Sequence, residues 1–329
     1  MLDDRKAAIL SAVVQDYIET AQPVGSGRIS ASPGVDVSSA TVRNEMVALE
    51  EQGYLAQPHT SAGRVPTDKG YRFYVDQLRD ERPVLDVADR VQVSDFFAGA
   101  HGALESMLAD TSELLTNLTD WTAVVVGPGT EDATIRSTQL VDLASHHFLV
   151  VAVMSNGVIE KRAVEVAVEL TPEMVADAGR RLAEAVEGKT LIELAAEEGL
   201  ADDPLAIAAV DALCAVGGAA EVFVGGASRV ASAFEAVERV RDVLAVLEQQ
   251  IVVVSLISDV LDRGMRVAIG EETGVETLAD CSLVVAPYEV DGESAGTIGA
   301  LGPTRMDYSH ALSAVAVVSR RLGTALSEG

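Results

Sequence analysis

Ser38, Ser39, Thr41, Arg43 and Asn44 place five hydrogen-bonding side chains within seven consecutive residues. Their hydroxyl, guanidinium and amide groups suit phosphate oxygens and base edges, and no acid interrupts the run. Val42, Met46 and Leu49 recur at i, i+4 and i+7, the period of one buried helix face. Ser38 is a good N-cap, and Gly53 stops the pattern after Leu49-Glu50-Glu51-Gln52. A short helix that is buried on one side and polar at its N-terminal end is shaped to enter a DNA major groove. Amphipathic helices of this size are common, so the neighbouring elements must decide.

Other reactive groups do not assemble into sites. Gly188-Lys189-Thr190 resembles the end of a phosphate-binding loop, but the earlier glycine falls at Ala183, and helix precedes it where a strand is needed. Gly225-Gly226 and Gly299 with Gly302 do not complete a dinucleotide fingerprint. His146 and His147 are adjacent, which on a strand sends them to opposite faces. Cys214 and Cys281 lie far apart without CxxC spacing, which argues against a zinc site or a disulfide framework. Arg305 with Asp307 reads as a structural ion pair. No nucleophile, base and orienter form a set, so neither enzymatic chemistry nor a cofactor or metal is expected.

The elements around Ser38 supply what a recognition helix requires. Asp3 and Asp4 precede Ile9, Leu10, Val13, Val14, Tyr17 and Ile18, a wide apolar face at helical spacing. Pro23-Val24-Gly25 breaks that pattern, and Ser26 can cap a second short helix through Arg28-Ile29-Ser30. Pro33-Gly34-Val35-Asp36 turns the chain into the helix at Ser38. Downstream, 54–59 and 64–66 are short extended runs around Thr60-Ser61-Ala62-Gly63, which reads as a hairpin. Placed after a recognition helix, it is a wing, with Ser61, Gly63 and Arg64 near the duplex and Arg64 able to reach a phosphate or the minor groove. Thr67 caps a further helix whose Tyr71, Tyr74, Val75 and Leu78 pack back. Residues 1–82 are expected to be a winged helix-turn-helix that binds DNA through Ser26, Arg28, Ser38, Ser39, Thr41, Arg43, Asn44, Ser61, Gly63 and Arg64.

The net charge of −27 looks like an objection to DNA binding. Residues 1–79 carry 8 basic and 10 acidic side chains, so the remaining 16 basic and 41 acidic ones hold nearly all of it. A near-neutral reading head has weak non-specific affinity, and tight binding then needs two copies on one site. A homodimer on an inverted repeat supplies that while holding the acidic bodies away from the duplex. At 329 residues the chain has room for two or three domains. The N-terminus carries no signal pattern and the longest apolar runs, such as 251–257, are too short to span a bilayer. A cytoplasmic protein without a membrane partner is expected.

Several motifs together resemble the heat-inducible transcription repressors of the HrcA family. At the N-terminal end they are Tyr17-Ile18-Glu19-Thr20, Pro23-Val24-Gly25-Ser26, Ser38-Ser39-Ala40-Thr41-Val42-Arg43-Asn44, Gln57-Pro58-His59-Thr60-Ser61-Ala62-Gly63-Arg64 and Gly70-Tyr71-Arg72-Phe73-Tyr74-Val75-Asp76. At the other end they are Ile269-Gly270-Glu271-Glu272, Asp280-Cys281-Ser282-Leu283-Val284 and Gly302-Pro303-Thr304-Arg305-Met306-Asp307-Tyr308. The resemblance implies a dimeric repressor on an inverted-repeat operator upstream of chaperone operons, kept active by a GroEL-type chaperonin and relieved under heat stress. Gly27 between Ser26 and Arg28 departs from the usual Ser-Arg pairing. The competing function is a small-molecule-sensing winged-helix regulator of other genes.

The resemblance also implies an α+β chain, with a GAF-like α/β effector domain that carries an inserted dimerisation segment. Strands near 123, 138, 222, 265, 282 and 297 with flanking helices suit that domain, over residues 83–145 and 219–329. The insertion is then 146–218, with a hairpin at Ser155-Asn156-Gly157 and a helix capped by Thr171 with Pro172 behind it.

Overall fold

The computed structural model describes residues 2–59, 62–78, 84–99, 103–130, 133–168, 170–195, 203–215, 220–229 and 237–328. The head begins with α1 (Asp4–Thr20), whose N-cap Asp3 accepts the Lys6 amide. Helix α2 (Ser26–Ile29) and α3 (Ser39–Glu51) follow, and Ile9, Leu10, Val13 and Val14 of α1 share a core with Val42, Met46 and Leu49 of α3. Strands β1 (Leu55–Ala56) and β2 (Val65–Pro66) pair antiparallel as the wing, and α4 (Asp68–Leu78) closes the unit with its first turn capped by Thr67. This is the expected winged helix-turn-helix.

Helices α5 (Val87–Gly99) and α6 (Leu104–Thr119) lead into the body. Its sheet is antiparallel throughout, in the order β7 (Val222–Gly225), β3 (Thr122–Val126), β10 (Glu293–Pro303), β9 (Cys281–Val290), β8 (Val267–Ile269). Alternate residues serve opposite faces. Ala123 and Val125 join the core under α6 and α12 (Tyr308–Glu328), whereas Val124 and Val126 join the core under α10 (Val237–Leu247) and α11 (Gln250–Asp262). A five-stranded sheet covered by helices on both faces is the expected GAF-like body. Among the described residues no single helix is long and apolar enough to cross a membrane.

A second unit hangs between β3 and β7. Strands β4 (Ile135–Ala144), β5 (His147–Met154) and β6 (Ile159–Glu165) form a separate meander, packed on one face by α7 (Pro172–Val186), α8 (Leu191–Ala195) and α9 (Pro204–Cys214). The β5–β6 turn holds Gly157 at φ +84°, and Thr171 caps α7 as its sequence indicates. One expectation is corrected here. The strand near 138 belongs to this meander and not to the GAF-like sheet, because it pairs along its length with β5, which pairs in turn with β6. The separately folded segment therefore starts before residue 146. Its base is tied where Ile135 donates to the Lys189 carbonyl (2.8 Å) and Gly188 donates to the Ile135 carbonyl (2.8 Å). His146 sits in the β4–β5 turn at φ +70° and bonds the Val166 carbonyl.

Head and body are joined through α4. Arg72 donates through Nε to Glu272 Oε1 (2.8 Å), through Nη2 to Glu272 Oε2, and again to the Val267 carbonyl (2.7 Å). Glu272 also accepts the Ile269 amide (2.9 Å), so one carboxylate fixes the sheet edge and the head helix together. The Tyr71 and Tyr308 rings meet at 5.8 Å, and Tyr308 bonds Ser282 (2.7 Å) and the Thr304 carbonyl (2.6 Å). Burial pushes both tyrosine hydroxyls well above their ordinary titration range. Gly270 is left-handed at φ +53°, and a Cβ there would collide with the Asp68 carboxylate. Apolar residues of head and body fall in one continuous core.

A double-mutant cycle tests this joint. Arg72→Ala and Glu272→Ala should each destabilise the chain, with a coupling of about 1–3 kcal/mol from chemical unfolding. A coupling near zero would mean that the pair does not bind head to body.

Candidate nucleic-acid interface

The outward side of α3 is built by subtraction. Val42, Met46 and Leu49 are fully buried, which turns Ala40, Arg43, Asn44 and Val47 outward at i, i+3, i+4 and i+7. Arg43 and Asn44 are exposed, and among the described residues neither side chain has a hydrogen-bond or ion-pair partner. Ser39 is exposed beside them. Ser38 holds the N-terminus, where its Oγ accepts the Thr41 amide (3.2 Å) and lies 3.0 Å from Thr41 Oγ1. Ser38 and Thr41 therefore act first as the cap, with the exposed helix N-terminus a favourable place for a phosphate.

The acids of α3 are drawn off this surface. Glu45 faces α1, where Lys6 Nζ lies 3.4 Å away and Arg5 Nη1 lies 3.7 Å away. Glu50 faces the wing, and only Glu51 is fully exposed. Neutralising two carboxylates by internal pairing matters in a head whose formal charge is slightly negative.

The wing is braced at its base. Val24 and Arg64 exchange backbone hydrogen bonds (2.8 and 2.9 Å), and a Cβ on Gly63 would collide with the Val24 carbonyl. Gly63 thus serves close backbone approach. Gln57 Nε2 donates to the Ala62 carbonyl (2.9 Å) below the tip, and His59 is exposed. Ser61 lies outside the described residues. Arg64 does not project as expected. Its Nε and Nη2 both bond Glu50 Oε2 (3.0 and 2.7 Å), and its side chain is only 16% exposed. Arg28 is also engaged, with Nε 2.8 Å from Asp16 Oδ1, so it points back to α1, while Ser26 is half-buried on α2.

Two residues on the ridge went unremarked in the sequence. Ala40 and Val47 (38% exposed) are apolar groups on a solvent-facing helix side, suited to thymine methyl groups. The signal was their spacing with Arg43 and Asn44.

The remaining reactive groups stay apart. Among the described residues no cluster of three His, Cys, Asp or Glu side chains is placed to hold a metal ion. Both cysteines are free, and burial, with Asp280 beside it, pushes the Cys281 thiol up to about 12. Asp307 caps α12 by accepting the His310 amide (3.0 Å) instead of forming the expected ion pair with Arg305.

Comparison with known proteins places this arrangement. A family model described as the HrcA protein C terminal domain matches residues 105–312. The heat-inducible transcription repressor HrcA of Thermobifida fusca is 37% identical over 99% of this chain and 98% of its own. The repressor of Acidothermus cellulolyticus is 37% identical over 100% of both chains, and that of Rhodococcus jostii is 38% identical over 99% of each. A hypothetical protein solved at 2.2 Å shares the fold at a TM-score of 0.67 and 24% identity, covering 100% of this chain and 99% of that one. Full-length similarity, joined to a winged head on a GAF-like body, assigns the chain to a family: it belongs to the HrcA heat-inducible transcription repressors.

Proposed function

We propose that this protein represses heat-shock operons from the cytoplasm by presenting α3 to the major groove of an inverted-repeat operator. The observation that carries this reading is the α3 ridge, where Arg43 and Asn44 have no partner among the described residues while Glu45 and Glu50 are held elsewhere. Arg43 and Asn44 read base edges, Ala40 and Val47 add apolar contact, and Ser38, Ser39 and Thr41 meet phosphates at the helix N-terminus. Ser26 and Arg28 flank the backbone on one side, and Ser61 with the Gly63 backbone approach it on the other. Arg64 holds the wing to α3 through Glu50.

Two copies join through the segment that contains the β4–β6 meander. Its uncovered face carries Val153 between Ser137 and Ile159, Val151 between Gln139 and Lys161, and Leu149 between Val141 and Ala163. Ile159 is 52% exposed and the three β5 residues are half-buried, an apolar stripe suited to a second copy. A GroEL-type chaperonin favours the DNA-competent form. When heat fills it with unfolded protein, repression lifts.

An electrophoretic shift with an inverted-repeat chaperone promoter should give tight binding that a GroEL-type chaperonin strengthens. Arg43→Ala should weaken it about 10- to 100-fold. Binding that survives Arg43→Ala unchanged would sink the assignment of α3.

Salt titrations separate the two roles of Arg64. If Arg64 acts through Glu50, then Arg64→Ala and Glu50→Gln weaken binding alike and leave the salt slope unchanged. A phosphate contact would instead lower the slope by about 1 for Arg64→Ala alone.

The pairing face is tested by Val151→Lys, which puts a charge at the centre of the stripe. Light scattering should report monomers, with operator affinity reduced more than tenfold. A dimer that persists would place the interface elsewhere.

A further inference from the structure

A cleft of about 460 Å³ lies between the head and the body, a volume typical of small-molecule sites. Val75 and Leu78 of α4 form one wall, Leu312 of α12 forms another, and Val284 of the sheet lies at its floor. The walls are mainly apolar, yet two arginines line them, Arg72 and Arg266, and no acidic residue is among the described lining. In a chain with 51 acidic and 24 basic side chains, a cavity whose described charged lining is purely cationic is a local reversal of sign.

The two arginines are not equivalent. Arg72 is committed to Glu272 and the Val267 carbonyl. Arg266 precedes β8, and among the described residues nothing pairs with its exposed guanidinium. Its backbone is fixed, because the Arg266 carbonyl accepts the Val285 amide (2.8 Å). Among the described residues the site thus offers one available cation, on a fixed strand end beside an apolar trough. A guanidinium matches a carboxylate bidentately, and the trough matches a short hydrocarbon chain.

We propose that this cleft binds a free medium-chain carboxylate, with the carboxylate on Arg266 and the apolar chain along Val75, Leu78 and Leu312. Because α4 belongs to the head and Leu312 to the body, the ligand spans the joint and stabilises one placement of the head. This inference does not depend on which bases α3 reads, since its test contains no DNA.

The test uses the full chain and sodium decanoate as the probe, with decanol and decylamine as matched neutral and cationic controls. Titration calorimetry should give one decanoate per chain, and the thermal midpoint should rise as decanoate is added. Decanol should bind at least tenfold more weakly and decylamine should not bind. Arg266→Gln should lose at least tenfold in decanoate affinity, and Leu312→Trp, which fills the trough, should abolish binding. Circular dichroism confirms that each variant is folded, and Arg266→Lys, which keeps the charge, should restore part of the affinity. Equal binding of decanoate and decanol, or decanoate binding indifferent to Arg266→Gln, would overturn the proposal. So would decanoate that associates only with many weak sites per chain.

Discussion

The Arg72–Glu272 pair is the constraint on which the arrangement of this molecule depends. A carboxylate that served only its own 3-10 turn would hold the Ile269 amide and nothing else. Here it also takes the guanidinium of a head helix, which in turn reaches the Val267 carbonyl. The strand at the sheet edge is thereby satisfied by the head, and the head by the strand. Tyr71 against Tyr308 extends the contact into apolar packing, and Gly270 allows the approach. A winged helix on a flexible tether would keep a core of its own. This one shares its core with the body, so the head is packed against the sheet domain and not merely tethered to it.

Electrostatics follow a similar economy. A chain of net charge −27 must present a surface that tolerates a polyanion. It does so without an excess of basic residues, by assigning the acids of the recognition helix to internal partners. Lys6 and Arg5 take Glu45, and Arg64 takes Glu50. These cations are spent on neutralisation and positioning, which leaves Arg43 as the exposed cation of α3.

How much of this was legible in the sequence follows from the range of each interaction. The Ser38 cap, the Thr171 cap and the Gly157 turn depend on residues three or fewer positions apart, and their signals are local. The buried face of α3 was equally plain, because a period of 3.6 residues is visible within two turns. Less was legible where a partner lay far away. Strand β4 looks like any other strand, and only its pairing with β5 decides its sheet. Arg64 has the chemistry of a phosphate contact, and nothing in its own neighbourhood announces Glu50, 14 residues earlier, as its partner. The motifs at the two ends of the chain had a meaning that sequence could not supply. Gly70–Asp76 and Ile269–Glu272 include the two sides of the joint, nearly 200 residues apart and in contact through Arg72.

The sheet order also sets a geometric relation between pairing and reading. The meander with the proposed pairing face emerges between β3 and β7, at one edge, while the head docks on β8 at the other. Four inter-strand steps of about 4.8 Å separate the edges, roughly 19 Å of hydrogen-bonded sheet. A sheet is stiff along this direction, since shortening it means breaking ladder bonds. Two copies joined at their meanders would therefore hold their heads at a separation fixed by the two sheets and adjusted at the α4 joint. An inverted repeat has a fixed half-site spacing, and a small rotation at that joint takes both recognition helices out of register together. In a dimer of the proposed kind, a tilt of α4 on β8 would alter the spacing of the two heads while leaving the pairing face and α3 themselves unchanged.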